Sequence, residues 1–411
     1  MSRTRSFVAV KKPILLAAVL ASRLALADEA ALEKRVTELE AEVKKLKAAE
    51  PAVKTGSDAS LVLSGYVEAF YSWNFNEPSN FITNYRGFDN RHNIFTIDNI
   101  VLDALGKFDR VQAHLALQVG NTPETYYSQE PVWRATSGAG ASGPSVWKLV
   151  QQANVGYKAP VGNGLLMEAG IFVSPIGPET LPIKDNFNWS RSNLFFALPY
   201  YHTGVRATYA ITDRWSATAM LCNGWNSVVD DNIELSVSGM VTYTNDTVSA
   251  TLLYFGGVER PEKAPEGRAW RNLFDAYATW SPTKRVSAIF HADAGFEPNA
   301  LGTSSWGAGA VSVRVQPLPW MYLSARADAF YENVPQGATP IFWGGSRWVA
   351  SQTATFDARP NANMSVRLEV RHDQSEAPIY FAGDVATDAL GDYVPNARSQ
   401  TTVTVGAVAW F

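Results

Sequence analysis

The sequence predicts an all-β fold, a 16-stranded antiparallel transmembrane β-barrel preceded by a short N-terminal coiled-coil helix. Three observations predict it. From Leu61 onward, segments of eleven to fourteen residues recur in which every second side chain is apolar. Short turns and longer polar stretches alternate between these segments. The residues before Asp28 have the composition of an export signal.

The N-terminal segment, residues 1–27, is expected to be a signal peptide. It carries basic residues and no acidic residue, then the apolar run Ile14–Leu20, then Ala25-Leu26-Ala27. This is the order of a charged region, a short apolar region and a small-residue cleavage site, although Arg23 interrupts the apolar tail. The alternative is a membrane anchor, which needs about 20 apolar residues. The run is far shorter, so we expect export and cleavage after Ala27.

Charge and cysteine content exclude other classes of protein. The whole chain has 39 acidic and 35 basic residues, a formal net charge of -4. Loss of the five basic residues of the signal peptide makes the mature chain more acidic still, so no nucleic-acid partner is expected. The single Cys222 cannot form an internal disulfide and is expected to be a packing residue.

Residues 28–49 are predicted to form a periplasmic coiled-coil segment. Apolar residues recur there at alternating spacings of four and three: Leu32, Val36, Leu39, Val43 and Leu46. This spacing is a heptad with Val at a and Leu at d. The alternative is a bare amphipathic helix, because the run is short. Residues 50–60 are a predicted linker, and residues 61–411 the outer-membrane β-barrel.

Period-2 alternation identifies the strands. A clear case is the apolar series Val111, Ala113, Leu115, Leu117 and Val119, which alternates with Gln112, His114 and Gln118. One face of such a strand lies in an apolar medium and the other in water. A large soluble all-β domain is the alternative, but it would leave edge strands to protect, whereas a closed barrel has none.

Two kinds of connection give the strand number. Seven tight turns are predicted at 107–110, 160–163, 212–213, 245–246, 281–284, 316–319 and 359–361. Eight longer stretches are predicted at 74–92, 121–146, 174–198, 225–231, 257–269, 297–303, 332–345 and 374–399. Their alternation requires sixteen strands, with short periplasmic turns, long extracellular loops and both termini on the periplasmic side.

The last strand and the aromatic residues point to an outer membrane. The strand alternates and ends in Phe411, which resembles the signal read by the barrel-assembly machinery. Aromatic residues near strand ends are expected to form girdles at the lipid headgroups: Tyr71, Trp73, Tyr157, Tyr200, Tyr201, Trp215, Trp270, Trp280, Trp306, Trp320, Tyr322 and Trp410. The expected surroundings of the barrel wall are therefore outer-membrane lipid.

The alternating polar set supplies candidate pore-lining residues. They are Glu68, His114, Glu168, Arg206, Asp275, His291, Asp293, Arg314, Arg326, Asp328, Arg367, Glu369 and Arg371. Their charges nearly balance, so no ion preference is predicted, although four of the arginines could form a basic stripe on one wall. The alternative role for each is an ion pair that braces the wall. A barrel of sixteen strands leaves an aqueous channel unless something plugs it.

The third long loop, 174–198, is too apolar for a solvated loop. It holds the candidate constriction residues Asp185, Phe187, Trp189, Arg191 and Phe195. One interpretation is that it folds into the barrel as a constriction, as the third loop of general porins does. The other is a compact extracellular loop with its own small core.

No catalytic, cofactor or metal site is predicted. The five histidines are scattered, with no pair at helical metal-ligand spacing, and no phosphate-binding glycine loop or nucleophile motif is present. An enzyme is therefore not expected.

Several stretches resemble a known family. They are SGYVEAFYSWNFNEP (64–78), RHNIFTIDNIVLD (91–103), LALQVGNTPETYY (115–127), AGIFVSPIGPET (169–180), DNFNWSRSNLFFALPYYHTGVRATY (185–209) and DRWSATAMLCNGW (213–225). These resemble the β-barrel porin 2, or OmpL-like, family of bacterial outer-membrane proteins. The resemblance covers about residues 60–411 and implies a porin-like channel in the outer membrane, with no firm substrate and no catalytic residues.

Two functions remain open from the sequence. The first is passive diffusion of small hydrophilic solutes or ions, with subunits of a homo-oligomer held together by residues 30–49 and the barrel wall. The second is a plugged structural or adhesive barrel whose coiled coil or loops bind a partner. The state of loop 174–198 distinguishes them.

Overall fold

A computed structural model describes residues 59–134 and 140–411. Within them, sixteen antiparallel strands close into a barrel in which each strand pairs with its sequence neighbours and β1 pairs with β16. The predicted fold of sixteen strands is confirmed. The predicted signal peptide, coiled coil and most of the linker lie outside the described residues.

The strands are β1 (Ala59–Asn74), β2 (Phe95–Phe108), β3 (Val111–Val119), β4 (Val150–Ala159), β5 (Leu165–Val173), β6 (Tyr201–Ala210), β7 (Trp215–Cys222), β8 (Ser236–Thr244), β9 (Val248–Val258), β10 (Trp270–Thr283), β11 (Val286–Asn299), β12 (Gly302–Leu318), β13 (Met321–Asn333), β14 (Trp348–Asn361), β15 (Met364–Ser375) and β16 (Ser399–Trp410). The short helices are α1 (Thr122–Tyr126), α2 (Pro144–Trp147) and α3 (Asn193–Phe196), and a 3₁₀ turn spans Ile183–Asp185. Among the described residues no helix has the length and apolar character to cross a membrane.

The ends of the barrel wall meet in register. Tyr66 lies opposite Trp410, and Asn74 lies opposite Thr402. The N–H of Phe411 donates to the carbonyl of Gly65 at 3.1 Å, so the last residue continues the pairing. Within the described residues β1 already spans Ala59, two residues before the predicted start of the barrel.

The two faces of the strands differ as the alternation predicts. On β13, Leu323 is 42 % exposed and Tyr331 49 %, whereas the intervening Arg326 and Asp328 are buried. The apolar series covers the outside, where lipid surrounds the barrel, and the polar series faces the lumen.

Seven tight turns join the hairpins as predicted, although three lie later in the chain than expected, at 284–285, 319–320 and 362–363. One predicted long loop is wrong. The sixth connection is only 300–301, because β11 and β12 continue pairing up to Asn299 and Gly302. The N–H of Leu301 donates to the side chain of Asn299 at 2.9 Å, and Gly302 has a φ of 141°. Glu297, a polar residue that suggested a loop, is instead buried in an ion pair with Arg271. The other connections between hairpins are L1 (75–94), L2 (120–149), L3 (174–200), L4 (223–235), L5 (259–269), L7 (334–347) and L8 (376–398).

The aromatic girdles are only partly as predicted. Trp215, Trp270, Trp280 and Trp320 are exposed on the barrel surface. Tyr200, Tyr201 and Trp306 are buried, and their assignment to the girdles is wrong. Their rings face inward, where the two tyrosines pack on Tyr126 of L2 and Trp306 packs on Phe342 of L7.

Apolar side chains fill the extracellular part of the lumen along β5 to β14. Inward-facing residues of those strands meet residues of L3, L7 and L8 there, so the inner face is not polar throughout. We call this set the outer apolar cluster: Phe172, Ile176, Ala197, Leu198, Met220, Cys222, Leu253, Phe255, Leu273, Trp306, Phe330, Trp343, Val349, Ile379 and Tyr380. Cys222 is thus a packing residue, as predicted.

Candidate functional site: the lumen and loop L3

Loop L3 crosses the lumen. It connects β5 to β6, yet the hydroxyl of Tyr277 on β10 donates to the carbonyl of Pro175 at 3.2 Å. Farther along, the N–H groups of Trp189 and Ser190 donate to Glu369 on β15 at 2.6 and 2.9 Å. On a closed ring of sixteen strands β15 lies nearly opposite β6, so this path runs through the interior.

The Glu369 carboxylate holds L3 at Trp189 and Ser190, on the side of the lumen far from β6. Besides the two backbone donors of L3, the hydroxyl of Thr355 donates to it at 2.8 Å. Trp189 is fully buried beside this carboxylate, and its ring packs where a Cβ at Gly406 would be only 2.3 Å away. Glycine at position 406 of β16 therefore makes the room that Trp189 occupies.

Arginines on β13 and β15 bind carbonyls of the same loop. Arg326 donates to the carbonyl of Ser190 at 2.6 Å and to Glu179 at 2.8 Å. Arg367 donates to the carbonyl of Asn188 at 2.9 Å. Charged donors bound to carbonyls make strong hydrogen bonds, so these arginines fasten L3 to the wall.

Two further wall residues reach α3 at the end of L3. Arg371 donates to the backbone carbonyl of Arg191 and, at 3.1 Å, to the side-chain oxygen of Asn193. The side-chain amide of Asn193 donates to Asp328 at 2.7 Å. Arg326, Asp328, Arg367, Glu369 and Arg371 are all buried, and with their loop partners they define what we call the fastened wall.

On the neighbouring part of the ring, Glu68 of β1 binds the 3₁₀ turn of L3. The N–H of Ile183 donates to its carboxylate at 2.6 Å. Glu68 sits where the β1–β2 register shifts, and such a bulge re-aims a side chain. On β12, Arg314 lies over the ring of Phe187, with its guanidinium carbon 4.1 Å from the ring centre. L3 thus contacts β1 as well as β10 to β15.

The remaining candidate constriction residues do not all contact the fastened wall. Asp185 is exposed and pairs with Lys184 at 2.9 Å. Arg191 donates within the loop, to the carbonyl of Trp189 at 3.1 Å, and lies over the ring of Phe88 from L1. Phe195 also packs on Phe88, so L1 and L3 meet inside the barrel.

Two other pairs of inward-facing residues do not bind L3, one on β5 and β6 across the ring from β14, and the other on β2 and β3. Arg206 on β6 donates to Glu168 on β5 at 2.6 Å, and its side chain is 23 % exposed. His114 on β3 pairs with Asp103 on β2 at 2.9 Å, and their side chains are 23 % and 25 % exposed. We call these four residues the free wall.

A cavity of about 610 Å³ lies between L3 and the free-wall side of the lumen. Its lining includes Asp103 and Gln152 from the wall and Glu179 and Lys184 from L3. Residues near the periplasmic ends of strands, such as Trp410 and Ser64, also line it. Tyr200 and Phe195 line the cavity as well, and they belong to an aromatic cluster that includes Tyr126 and Tyr127 of L2.

The last three candidate pore-lining residues form a compact group. Asp275 on β10 lies opposite Asp293 on β11, and His291 is two residues from Asp293 on the same strand. The Nε2 atom of His291 is 2.6 Å from Asp275. These residues lack the helical spacing of metal ligands, but the i, i+2 spacing of His291 and Asp293 puts both side chains on one face of a strand.

Sequence reasoning missed the part that other loops play. Arg86 of L1 is buried and pairs with Asp89 and, at 3.0 Å, with Asp373 on β15. Burial disfavours its charge, but the two carboxylates outweigh burial and raise the pKa of Arg86. A buried charge needs partners of this kind. The sequence feature that could have indicated this buried ion pair is an Arg and an Asp three residues apart in a loop rich in aromatic residues.

Acidic side chains of the loops also bind backbone N–H groups of other loops. Glu130 of L2 accepts from Val228 and Val229 of L4 at 2.8 and 3.1 Å and from the hydroxyl of Tyr201 at 2.6 Å. Burial raises the pKa of Glu130. In L4, burial and the charge of Glu259 raise the pKa of Asp230 to about 7. The extracellular side is therefore held by groups that respond to pH.

Solved structures of outer-membrane proteins share this fold. The outer membrane channel DcaP of Acinetobacter baumannii is 11% identical, with a TM-score of 0.55 over 88% of this chain and 99% of that chain. An anion-selective porin from Comamonas acidovorans is 12% identical, with a TM-score of 0.56 over 86% and 100%. OmpT of Vibrio cholerae in a trimer form is 9% identical, with a TM-score of 0.53 over 86% and 100%. At these identities the likeness shows the fold alone.

A comparison with curated protein sequences finds no match. The model of one sequence family, described as "Putative beta-barrel porin-2, OmpL-like", matches residues 60–411. That range is the whole barrel except Ala59, and it includes L3 and every candidate residue discussed above. The chain therefore belongs to the OmpL-like β-barrel porin-2 family and is a porin-like channel of the outer membrane.

Proposed function

We propose that the barrel passes small hydrophilic solutes or ions by passive diffusion on the free-wall side of the lumen, through a passage that L3 keeps narrow. One observation carries this proposal: the inward-facing charges differ in exposure between the two walls. The side chains of Arg326 and Arg371 are 1% and 2% exposed, whereas that of Arg206 is 23% exposed. Charges lining an open aqueous pore would be hydrated, so the space beside the fastened wall is filled.

The cavity beside L3 also supports a passage on the free-wall side of the lumen. It is lined by Asp103, Lys184 and Glu179, groups of both signs that a hydrated solute can approach. Tyr200, which lines the cavity, and Tyr201 pack on Tyr126, and we propose that these rings close the lumen toward the extracellular side. Passage of a solute then requires these rings and their loops to shift, which predicts a small conductance for the wild-type protein.

Single-channel recording in planar bilayers tests the proposal. Wild-type protein is expected to show small, brief conductance steps. A variant in which residues 183–192 are replaced by a short Gly-Ser linker is expected to conduct about tenfold more, because the arginines of the fastened wall become hydrated. If neither protein gives conductance steps while both are folded by heat-modifiable electrophoresis, the plugged structural or adhesive function is favoured instead.

We also propose that the protein assembles as a homo-oligomer through the barrel wall, with residues 30–49 helping to hold subunits together. Gln352 supports this proposal, because it faces outward between Ala350 and Ala354 and lies beside Ala327. A polar side chain on a lipid-facing surface is costly, and a second copy could bind it. Native electrophoresis is the measurement: Gln352→Leu should weaken the oligomer, whereas Val205→Ala, on the outer face of β6 across the ring from β14, should leave it intact.

A further inference from the structure

The group of Asp275, His291 and Asp293 has too few hydrogen-bond donors for its acceptors. The two aspartates face each other directly across β10 and β11, an arrangement in which like charges repel. The Nε2 atom of His291 is 2.6 Å from Asp275 and 3.6 Å from Asp293. A ring nitrogen carries a single proton, and the short distance assigns it to Asp275.

Asp293 is therefore a buried carboxylate that lacks a donor. Its side chain is 1 % exposed, and within the described parts of the chain neither of its oxygens accepts a hydrogen bond. A buried ionised carboxylate without a partner is strongly unfavourable. The arrangement calls for a cation between the two carboxylates and the imidazole.

The geometry of the three side chains suits a metal ion. One ligand atom from each residue can be chosen so that all lie within 4.8 Å of one another. One imidazole nitrogen and two carboxylate oxygens are ligands that zinc and similar transition metals accept. Calcium and magnesium prefer oxygen ligands alone, so the histidine favours the zinc class.

The first segment of L3 covers this group. The N–H of Gly177 lies 3.4 Å from Asp275, and a Cβ at position 177 would lie 3.2 Å from the His291 ring. Gly177 also has a φ of 79°, which glycine adopts without strain. The same glycine lines the cavity beside L3.

We propose that Asp275, His291 and Asp293 bind one divalent transition-metal ion of the zinc class beneath the first segment of L3. This inference goes beyond the proposed function, because it holds whether or not the barrel conducts. The ion replaces the proton on Nε2 of His291, and that proton leaves to solvent. The bound ion then ties β10 and β11 together at the point where L3 enters the lumen.

Metal analysis of the folded full-length protein tests the site. Protein stripped with a chelator is dialysed against about 10 μM zinc with an excess of magnesium, and bound metal is measured by mass spectrometry. The expected result is about one zinc per barrel, with an unfolding temperature that zinc raises and magnesium does not. Wild-type protein that retains no zinc overturns the proposal without any variant.

Variants locate the ion. Asp293→Asn keeps the size of the side chain and is expected to weaken zinc binding at least tenfold. His114→Gln is the matched control, because His114 pairs with a single carboxylate, Asp103, and should leave zinc binding unchanged. Zinc binding that is unaffected by Asp293→Asn and by His291→Gln overturns the assignment of the site. Conductance is not a readout here, so failure of this proposal is separate from failure of the channel function.

Discussion

The two walls of the lumen carry similar residues and use them differently. On the fastened wall, Arg326 and Arg367 donate to loop carbonyls, and Glu369 accepts from loop N–H groups. On the free wall, Arg206 and Glu168 bind each other, and the Arg206 side chain stays 23% exposed. Charge alone therefore does not identify a pore-lining residue. The deciding factor is whether the partner of the charged side chain belongs to a loop or to the wall.

This comparison suggests how one barrel combines closure with passage. A loop held on one side by buried, charge-assisted hydrogen bonds cannot swing freely, because each bond lost leaves a buried group unpaired. In the part of the chain that the structure describes, Arg206, Glu168, His114 and Asp103 of the free wall make no hydrogen bond to L3. Solutes are therefore expected to pass where Arg206 and Asp103 lie.

The strongest challenge to the comparison is to release L3 from the fastened wall. Glu369→Ala leaves the N–H groups of Trp189 and Ser190 without an acceptor, at a cost of about 1–3 kcal/mol each. We expect L3 to detach and single-channel conductance to rise several-fold. Glu168→Ala is the matched control on the free wall, where hydrogen bonds from Arg206 and Gln112 of the wall are lost but none from L3. Equal conductance changes in the two variants would contradict the distinction between the walls.

The space occupied by Trp189 offers a second way to displace the loop. In Gly406→Ala the new Cβ would lie 2.3 Å from the Trp189 ring, so the ring must move. Overpacking of this kind costs about 1–3 kcal/mol, and we expect the midpoint of heat-induced unfolding to fall. Gly307→Ala on the outer face is the control, since a Cβ there meets nothing within 4 Å. If Gly406→Ala and the control unfold at the same midpoint, the Trp189 ring does not pack against position 406.

A smaller effect should show that ions follow the free wall. Asp103 lines the large cavity and is partly exposed, so Asp103→Asn removes a negative charge from the proposed passage. We expect the ratio of anion to cation permeability to rise about twofold, as measured by reversal potentials in a salt gradient. Because salt screens the charge, the difference from wild type should disappear at high salt. Asp246→Asn, on an exposed periplasmic turn, should have no such effect.

The sequence predicted the barrel well because each strand carries its own pattern. The alternation around Leu368 and Glu369 gave both the strand and its inward face. It failed where both faces of a strand are apolar, as at Leu252 and Leu253, of which the first is 68 % exposed and the second 5 %. The residues around Leu253 in the sequence do not indicate that its side chain contacts loops instead of lipid.

The site was harder to predict because its contacts are distant in the sequence. The apolar content of L3 predicted a loop inside the barrel or one with its own core. The hydrogen bond between Trp189 and Glu369 joins residues 180 positions apart, and the glycine that receives Trp189 is on the last strand. The outcome depends on which strand faces which loop across the ring, and single-strand patterns do not contain that information.

The smallest expected effect concerns the extracellular loops that cover the free-wall side of the lumen. Burial and the charge of Glu259 raise the pKa of Asp230 to about 7, and burial raises the pKa of Glu259 as well. A carboxyl group whose pKa is raised on folding stabilises the folded loop fully below its ordinary pKa, and this contribution is lost as pH rises through about 7. L4 should therefore be more ordered at pH 5.5 than at pH 8.5.

A spin label at Ile233→Cys reports the order of L4, since Ile233 is 77 % exposed and the only native cysteine, Cys222, is buried. We expect the label to gain mobility between pH 5.5 and pH 8.5. Asp230→Asn in the same background removes the ionisable group, so most of the pH dependence should disappear and the label should stay ordered. A pH response that persists unchanged in Asp230→Asn would assign it to another group, such as Glu130. Loss of the response would show that closure over the free wall depends on loop charge, whereas closure over the fastened wall depends on buried hydrogen bonds.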